Sequence, residues 1–223
     1  MEVYDSNLEV LTIGPGNAGN VIVSGYLGDK LTLEKDLINQ PCDFIKLDNS
    51  SINTESFRSS NIFSNEKYGD AGNIIIATNN IILENNSLIE SSSESNAKGG
   101  LVGIGKKLTF DKENKTVSIN EPGDYIFLNN HSKITTESVL TISNKAGNIH
   151  LGANTIKLSN NSCITSSSKG YYNAGEIHIN ASVRFPLILK IPGGQNLYFS
   201  IRHPLCFKQQ DYHKCSRWHW KWG

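Results

Sequence analysis

Tryptophan is missing until Trp218, and all three tryptophans (Trp218, Trp220 and Trp222) fall in the closing "RWHWKWG". Charge of one sign is missing too. Twenty-one Lys and Arg balance 21 Asp and Glu, so no global field draws the chain to nucleic acid or an acidic surface. No apolar run approaches the ~18 residues of a membrane-spanning helix. The start, "MEVYDSNLEV", has neither a basic n-region nor an apolar h-region, so no Sec signal is read there. Cysteine is scarce. Cys42, Cys163, Cys206 and Cys215 are too widely spaced to define a disulfide framework. Sustained helical spacing of apolar residues is absent, which excludes helical bundles and coiled coils. No Gly-Lys-Ser/Thr follows the glycines of "KGGLVGIG", so they are read as corner residues and not as a phosphate loop.

What is abundant is Asn and Ser, roughly a quarter of the chain against much lower ordinary usage. Regularly placed Ile, Leu and Val separate this composition from that of a disordered chain. Two segments align without a gap, "AGNIIIATNNIILENNSLIESSS" from Ala71 and "AGNIHLGANTIKLSNNSCITSSS" from Ala146, agreeing at 14 of 23 positions. Further starts are "GNAGNVIV" at Gly16 and "NAGEIHI" at Asn173. A second element, Ser-x-Ile, recurs at Ser50, Ser87, Ser132 and Ser162. Internal repetition of this kind governs the architecture.

Within the repeats, apolar-x-apolar triplets recur, among them Val21/Val23, Leu31/Leu33, Ile74/Ile76, Ile81/Leu83, Leu108/Phe110, Ile126/Leu128, Leu140/Ile142, Ile149/Leu151, Ile156/Leu158 and Ile177/Ile179. A period of two predicts strands with one buried face. Asn, Gly, Ser and Asp between them tolerate left-handed corners. Short strands with polar corners also build sandwiches and barrels. Two features favour a parallel β-helix. Units that match residue by residue bring like corners together, and stacked Asn amides can bond from one coil to the next. The expected fold is therefore all-β, a parallel β-helix (solenoid) of stacked short-strand coils with an irregular C-terminal tail. Residues 1–181 form the repeat region and 182–223 the tail. The stretch from about Gln40 to Tyr68, between the first two repeats, is expected to be a side loop.

The repeated "GDAGNIIIATNNIILENNSLIESSS" and "NKAGNIHLGANTIKLSNNSCITSSS" resemble the repeats of filamentous haemagglutinin-type adhesins of two-partner secretion systems, over roughly Leu8 to Ala181. The resemblance implies that the fold is a right-handed parallel β-helix. It also implies a place on a bacterial cell surface, secretion through an outer-membrane partner, and contact with a host or neighbour cell-surface glycan or protein. Family members carry an N-terminal signal and secretion domain, and this chain matches the repeat region alone. The expected function is that of a fragment of a secreted or surface adhesin-like repeat protein, not an enzyme. By the resemblance the expected location is secreted or cell-surface, and the missing signal makes the cytoplasm the alternative for this product. The alternatives are a carbohydrate-active β-helix enzyme (lyase or hydrolase) and a non-functional gene fragment.

The tail speaks for the last of these. Tryptophan has one codon, so reading "RWHWKWG" one base later forces three glycines in the pattern Gly-Thr/Ile-Gly-Asn/Ser-Gly, the composition of a repeat corner. A frameshift near Ser182 to Phe185 would make the tail a continuation of the repeats in another frame. His203, Cys206, His213, Cys215 and His219 match no strong zinc spacing.

No residue is assigned a catalytic, cofactor-binding or metal-binding role. Asp70, Asp111 and Asp124 are scattered, and Glu90, Glu94 and Glu137 are read as solvated corner carboxylates. His150 and His178, each in the middle of a triplet, are read as outward-facing. Cys163 is read as a small core or corner residue and Cys42 as a loop thiol. Membrane or nucleic-acid binding by the basic, aromatic tail is not expected.

Overall fold

The computed structural model describes residues 1–13, 16–25, 35–57, 68–94, 97–139, 145–168, 174–181 and 197–201. Every regular element among them is a strand. In chain order these are β1 (Glu2–Tyr4), β2 (Asn7–Ile13), β3 (Val21–Val23), β4 (Lys35–Ile38), β5 (Cys42–Asp48) and β6 (Ser51–Phe57). Next come β7 (Ile74–Glu84), β8 (Leu88–Ser93), β9 (Val102–Gly105), β10 (Lys107–Asp111), β11 (Thr116–Glu121) and β12 (Gly123–Leu128). The last are β13 (Lys133–Ser138), β14 (Ile149–Leu158), β15 (Cys163–Ser168), β16 (Ile177–Ala181) and β17 (Leu197–Ile201). No helix among the described residues is long and apolar enough to cross a membrane.

The pairing resolves into three parallel ladders. The first runs β3, the start of β7, β9, the start of β14, β16 and β17. The second runs β1, β5, the end of β7, β12 and the end of β14. The third runs β2, β6, β8, β13 and β15. The long strands β7 and β14 serve the first two ladders in succession, so each repeat passes through all three. Equivalent residues are therefore in register. Ile52, Ile89, Ile134 and Ile164 of the four Ser-x-Ile elements form one file. Val21, Ile74, Val102, Ile149 and Ile177 form another, and Ile45, Ile81, Ile126 and Ile156 a third. All of these sit in one buried apolar cluster drawn from the three ladders. Burial of each such side chain is worth ~1.5–3 kcal/mol, so every unit is stabilised mainly by the unit on either side.

The corners follow from their residues. Between the second and third ladders the backbone enters the left-handed region at Asp5, Asn49, Asn85, Asn86, Asn130, His131, Asn160 and Asn161. Asn is the side-chain-bearing residue most at ease there. The amides bond from unit to unit: Asn49 Nδ2 to Asp5 Oδ1 (2.7 Å), Asn130 Nδ2 to Asn85 Oδ1 (3.0 Å) and Asn160 Nδ2 to Asn130 Oδ1 (3.1 Å). Ser50, Ser87 and Ser132 are buried at the same corner. The Ser132 hydroxyl donates to the Asn129 carbonyl (2.7 Å).

The Ala-Gly-Asn corner has a different cause. A Cβ on Gly72, Gly100, Gly147 or Gly175 would strike the carbonyl oxygen of Gly19, Gly72, Gly100 or Gly147 respectively. Only glycine lets these backbones approach. Those carbonyls also take hydroxyl bonds from the third ladder's inner face. Thr54 and Ser91 donate to Gly72 O (both 2.7 Å), and Thr136 and Ser166 to Gly147 O (2.6 and 2.9 Å). The serine run of the repeat is thus partly core, with its polarity satisfied across the interior.

Three expectations are corrected. The stretch from Gln40 to Tyr68 is not a side loop over residues 40–57, which contain β5 and β6 with Ile45, Leu47 and Ile52 fully or almost fully buried, and residues 58–67 lie outside the described residues. The excursion lies at β10 and β11, which pair antiparallel with each other and with β4. This layer covers Ile75, Ala77 and Leu101 with Leu108, Phe110 and Val117. The tail is not wholly irregular, because β17 pairs in parallel with β16 from Ile177↔Leu197 to Ala181↔Ile201. Finally, Cys42 opens β5 and is half-buried against the main core, not a loop thiol.

Candidate functional site

Parity in each ladder decides which side chains face outward. In the third ladder the residues after the isoleucine file form an outward file of Glu9, Asn53, Glu90, Thr135 and Thr165. Two residues on, Leu11, Glu55, Ser92, Glu137 and Ser167 form a second. Glu90 and Glu137 therefore lie on strands β8 and β13, not in corners as expected, and Glu94 lies just past β8. Neighbouring strands are ~4.8 Å apart, and alternate residues of one strand ~6.6–6.8 Å, so Glu9, Glu55, Glu90 and Glu137 share one face. Burial, followed by the Glu90, Glu94 and Glu9 charges, pushes the Glu55 carboxyl up to about 7. Burial, with the Glu137 and Glu94 charges, also raises Glu90, against a bond from Ser92 and the pull of Lys133. Asn53, between Glu9 and Glu90, is 8% exposed, and its Oδ1 is buried with no hydrogen-bond partner.

The second ladder presents a different surface. One outward file is Phe44, Asn80, Tyr125 and Thr155, and the next is Lys46, Ile82, Phe127 and Lys157. The Tyr125 and Phe127 rings stack at 5.9 Å, and Lys157 Nζ lies 5.2 Å from the Phe127 ring centre. Lys46 is paired with Glu84 (3.1 Å) and Asp48 (3.5 Å). Amides rim this face, with Asn79 bonded to Asp43 and Asn154 to Asp124 (both 3.4 Å). Half-buried aromatics flanked by polar side chains can stack on an apolar ring face while bonding its hydroxyls.

On the first ladder's outward face, His150 and His178 are in register, half-buried and stacked, with ring centres 4.5 Å apart and planes 8° apart. Burial, then the His178 charge, pushes His150 down to about 4. His178 Nε2 lies 3.1 Å from Glu176 Oε2.

The other candidates do not converge with these groups. Burial alone would raise the Asp70 carboxyl, but the Lys115 ammonium at 2.6 Å and the Lys98 N–H hold it below the usual range. Asp111 accepts from the Asn114 N–H (3.0 Å) in the β10–β11 turn, and Asp124 is exposed. Cys163 is half-buried in the outward file of Asn7, Ser51, Leu88 and Lys133. The five His and Cys of the tail, and the proposed frameshift point, lie outside the described residues.

Asn53, Glu55, Phe44, Tyr125 and Phe127 were not singled out from the sequence. Aligning the four Ser-x-Ile elements would have found the first two, because it places Asn53 with Glu90 and Glu55 with Glu137. The aromatic face had no such signal, since the position shared by Phe44 and Tyr125 is Asn80 and Thr155 in the two aligned repeats. No family model, curated protein or solved structure matches this chain.

Proposed function

We propose that the chain is a right-handed parallel β-helix segment of a surface adhesin of the filamentous haemagglutinin type, acting by presentation and not by catalysis. One observation carries this reading: equivalent residues of successive units stack in register, as in the file Ile52, Ile89, Ile134 and Ile164. Units of that kind extend into a stiff rod whose outer faces are free for contact. The aromatic face of Phe44, Tyr125 and Phe127 is the contact surface, and the partner is a glycan or protein on a host or neighbouring cell. Export through an outer-membrane partner and a cell-surface location belong to the same reading. The test applies the full chain to glycan arrays and intact cells. Saturable binding is expected, with a Tyr125→Ala/Phe127→Ala pair weakening it about tenfold or more at unchanged circular dichroism, the loss of two anchoring aromatics. Undiminished binding by that double variant counts against the assignment.

A second reading, a carbohydrate-active enzyme, draws on the carboxylate face. Glycoside hydrolysis uses two carboxyls ~5–9.5 Å apart, one of them held protonated. Glu55 beside Glu90 has that character. Release of reducing ends from a polysaccharide panel, abolished by Glu55→Gln, would favour this reading over adhesion.

A further inference from the structure

From the third ladder's outward face we infer a binding site for a hard divalent cation of the calcium type, held by Asn53 Oδ1 and the carboxylates of Glu55 and Glu90. The site stands on two independent observations. The first is the register. Asn53 and Glu55 lie on the same face of β6, and Glu90 of β8 is directly opposite Asn53, so three oxygen-bearing side chains occupy adjacent points of one sheet grid. Glu9 of β2 flanks Asn53 on the other side, and Ser92 is opposite Glu55. The second is the Asn53 amide oxygen itself. A buried acceptor with no partner costs on the order of 1–3 kcal/mol, and among the described residues Asn53 Oδ1 is in that position.

The chemistry narrows the ligand. Glu9, Glu55 and Glu90 ionise to groups that only accept, and Asn53 buries an amide oxygen with no hydrogen-bond partner. Among the described residues the cationic side chain acting on this group is Lys133 of β13, opposite Leu88 and acting on Glu90. A set of oxygen acceptors calls for a cation. Carboxylate, amide carbonyl and hydroxyl oxygens suit Ca²⁺, which takes six to eight oxygens in loose geometry. Mg²⁺ demands a tight octahedron and gives up its water reluctantly. No group of three His, Cys, Asp or Glu side chains among the described residues forms a cage by itself. Two carboxylates, the amide oxygen, a hydroxyl and water complete the shell instead. A site with only two carboxylates belongs to the weak class, with a dissociation constant of about 10⁻⁴–10⁻³ M. It depends on neither the adhesive nor the enzymatic reading.

The test is calorimetric titration of the full chain with CaCl₂ after chelator treatment. One saturable site is expected in that range, with MgCl₂ weaker by about tenfold or more. Glu90→Gln and Asn53→Ala should each weaken binding about tenfold, while Glu121→Gln, paired elsewhere with Lys106 and Lys107, should leave it unchanged. Asn53→Asp supplies a carboxylate at the same place and should bind more tightly than the parent, which keeps the test sharp if another variant misfolds. Absence of a saturable site in the parent chain overturns the inference. So does parental affinity in folded Asn53→Ala, or weaker than parental affinity in folded Asn53→Asp.

Discussion

His150 and Glu55 pull the pH dependence of stability in opposite directions. His150 is lowered from an ordinary 6.5 to about 4, so the unfolded chain takes up the proton first. Its contribution is fully present above pH 6.5 and is lost as the pH falls toward 4. Glu55 is raised from 4.5 to about 7, so its contribution is fully present below pH 4.5 and is lost as the pH rises through 7. In chelator-containing buffer, His150→Gln should flatten the acid limb of a urea-midpoint profile. Glu55→Gln should raise the midpoint at pH 8 relative to the parent. A parental acid limb in the first variant, or an unchanged midpoint at pH 8 in the second, would contradict these assignments. A third prediction concerns the buried hydroxyls. Thr136→Val keeps the shape but removes the donor to Gly147 O, which retains Ser166. The expected loss, measured by denaturant unfolding, is about 1 kcal/mol and not the full cost of an orphaned carbonyl.

Among the elements, the glycine corner tolerates change least. Gly147→Ala places a Cβ against the Gly100 carbonyl oxygen, and each glycine lies two residues before the point where β14 and β9 begin to pair. Relief requires the first ladder to part at β9 and β14. The expected loss is several kcal/mol, above the ~0.5–3 kcal/mol usual for a point change, read as a collapse of the thermal transition or failure to fold. Gly16, where an added Cβ comes no nearer than 4.0 Å to Thr12 Oγ1, is the control. The β10–β11 hairpin also explains why one unit is hard to recognise in the sequence. Residues 97–138 follow the same path as the two aligned repeats, from β9 through β12 to β13, and lie between them. The hairpin interrupts this unit where β7 and β14 run straight on, so a gapless alignment passes over it. The Ser-x-Ile at Ser132 was the part that remained readable.

For the molecule as a whole, the vulnerable part is an edge. Leu8, Leu11 and Ile13 of β2 are 46%, 48% and 70% exposed, on a strand whose pairing among the described residues is with β6 alone. Leu8 belongs to the isoleucine file of the core and would be covered by a further parallel strand. Exposed apolar edges of this kind template association. Light scattering after size-exclusion chromatography should show concentration-dependent self-association of the full chain, and Ile13→Lys with Leu11→Lys should reduce it. A monodisperse parent at high concentration would remove this expectation.

Outside β5, β6 and β17, the apolar triplets that became strands, their buried faces and the recurrence of two kinds of corner were determined by the sequence alone. Each rests on local properties: alternation sets the buried face, asparagine accepts the left-handed corner, and glycine admits close backbones. Tertiary structure alone decided which units are neighbours. The equivalence of Asn53 with Glu90 and of Glu55 with Glu137 is written in the repeat. Their meeting on one face depends on strands 37 (Asn53 to Glu90) and 45 (Ser92 to Glu137) residues apart pairing in register. Composition marked Ser91 and Thr136 as polar, but only packing against Gly72 and Gly147 made them core, because a buried hydroxyl is stable where a carbonyl waits for it. The same holds for Tyr125 and Phe127, whose surface is assembled from several units by strand stacking across the sheet.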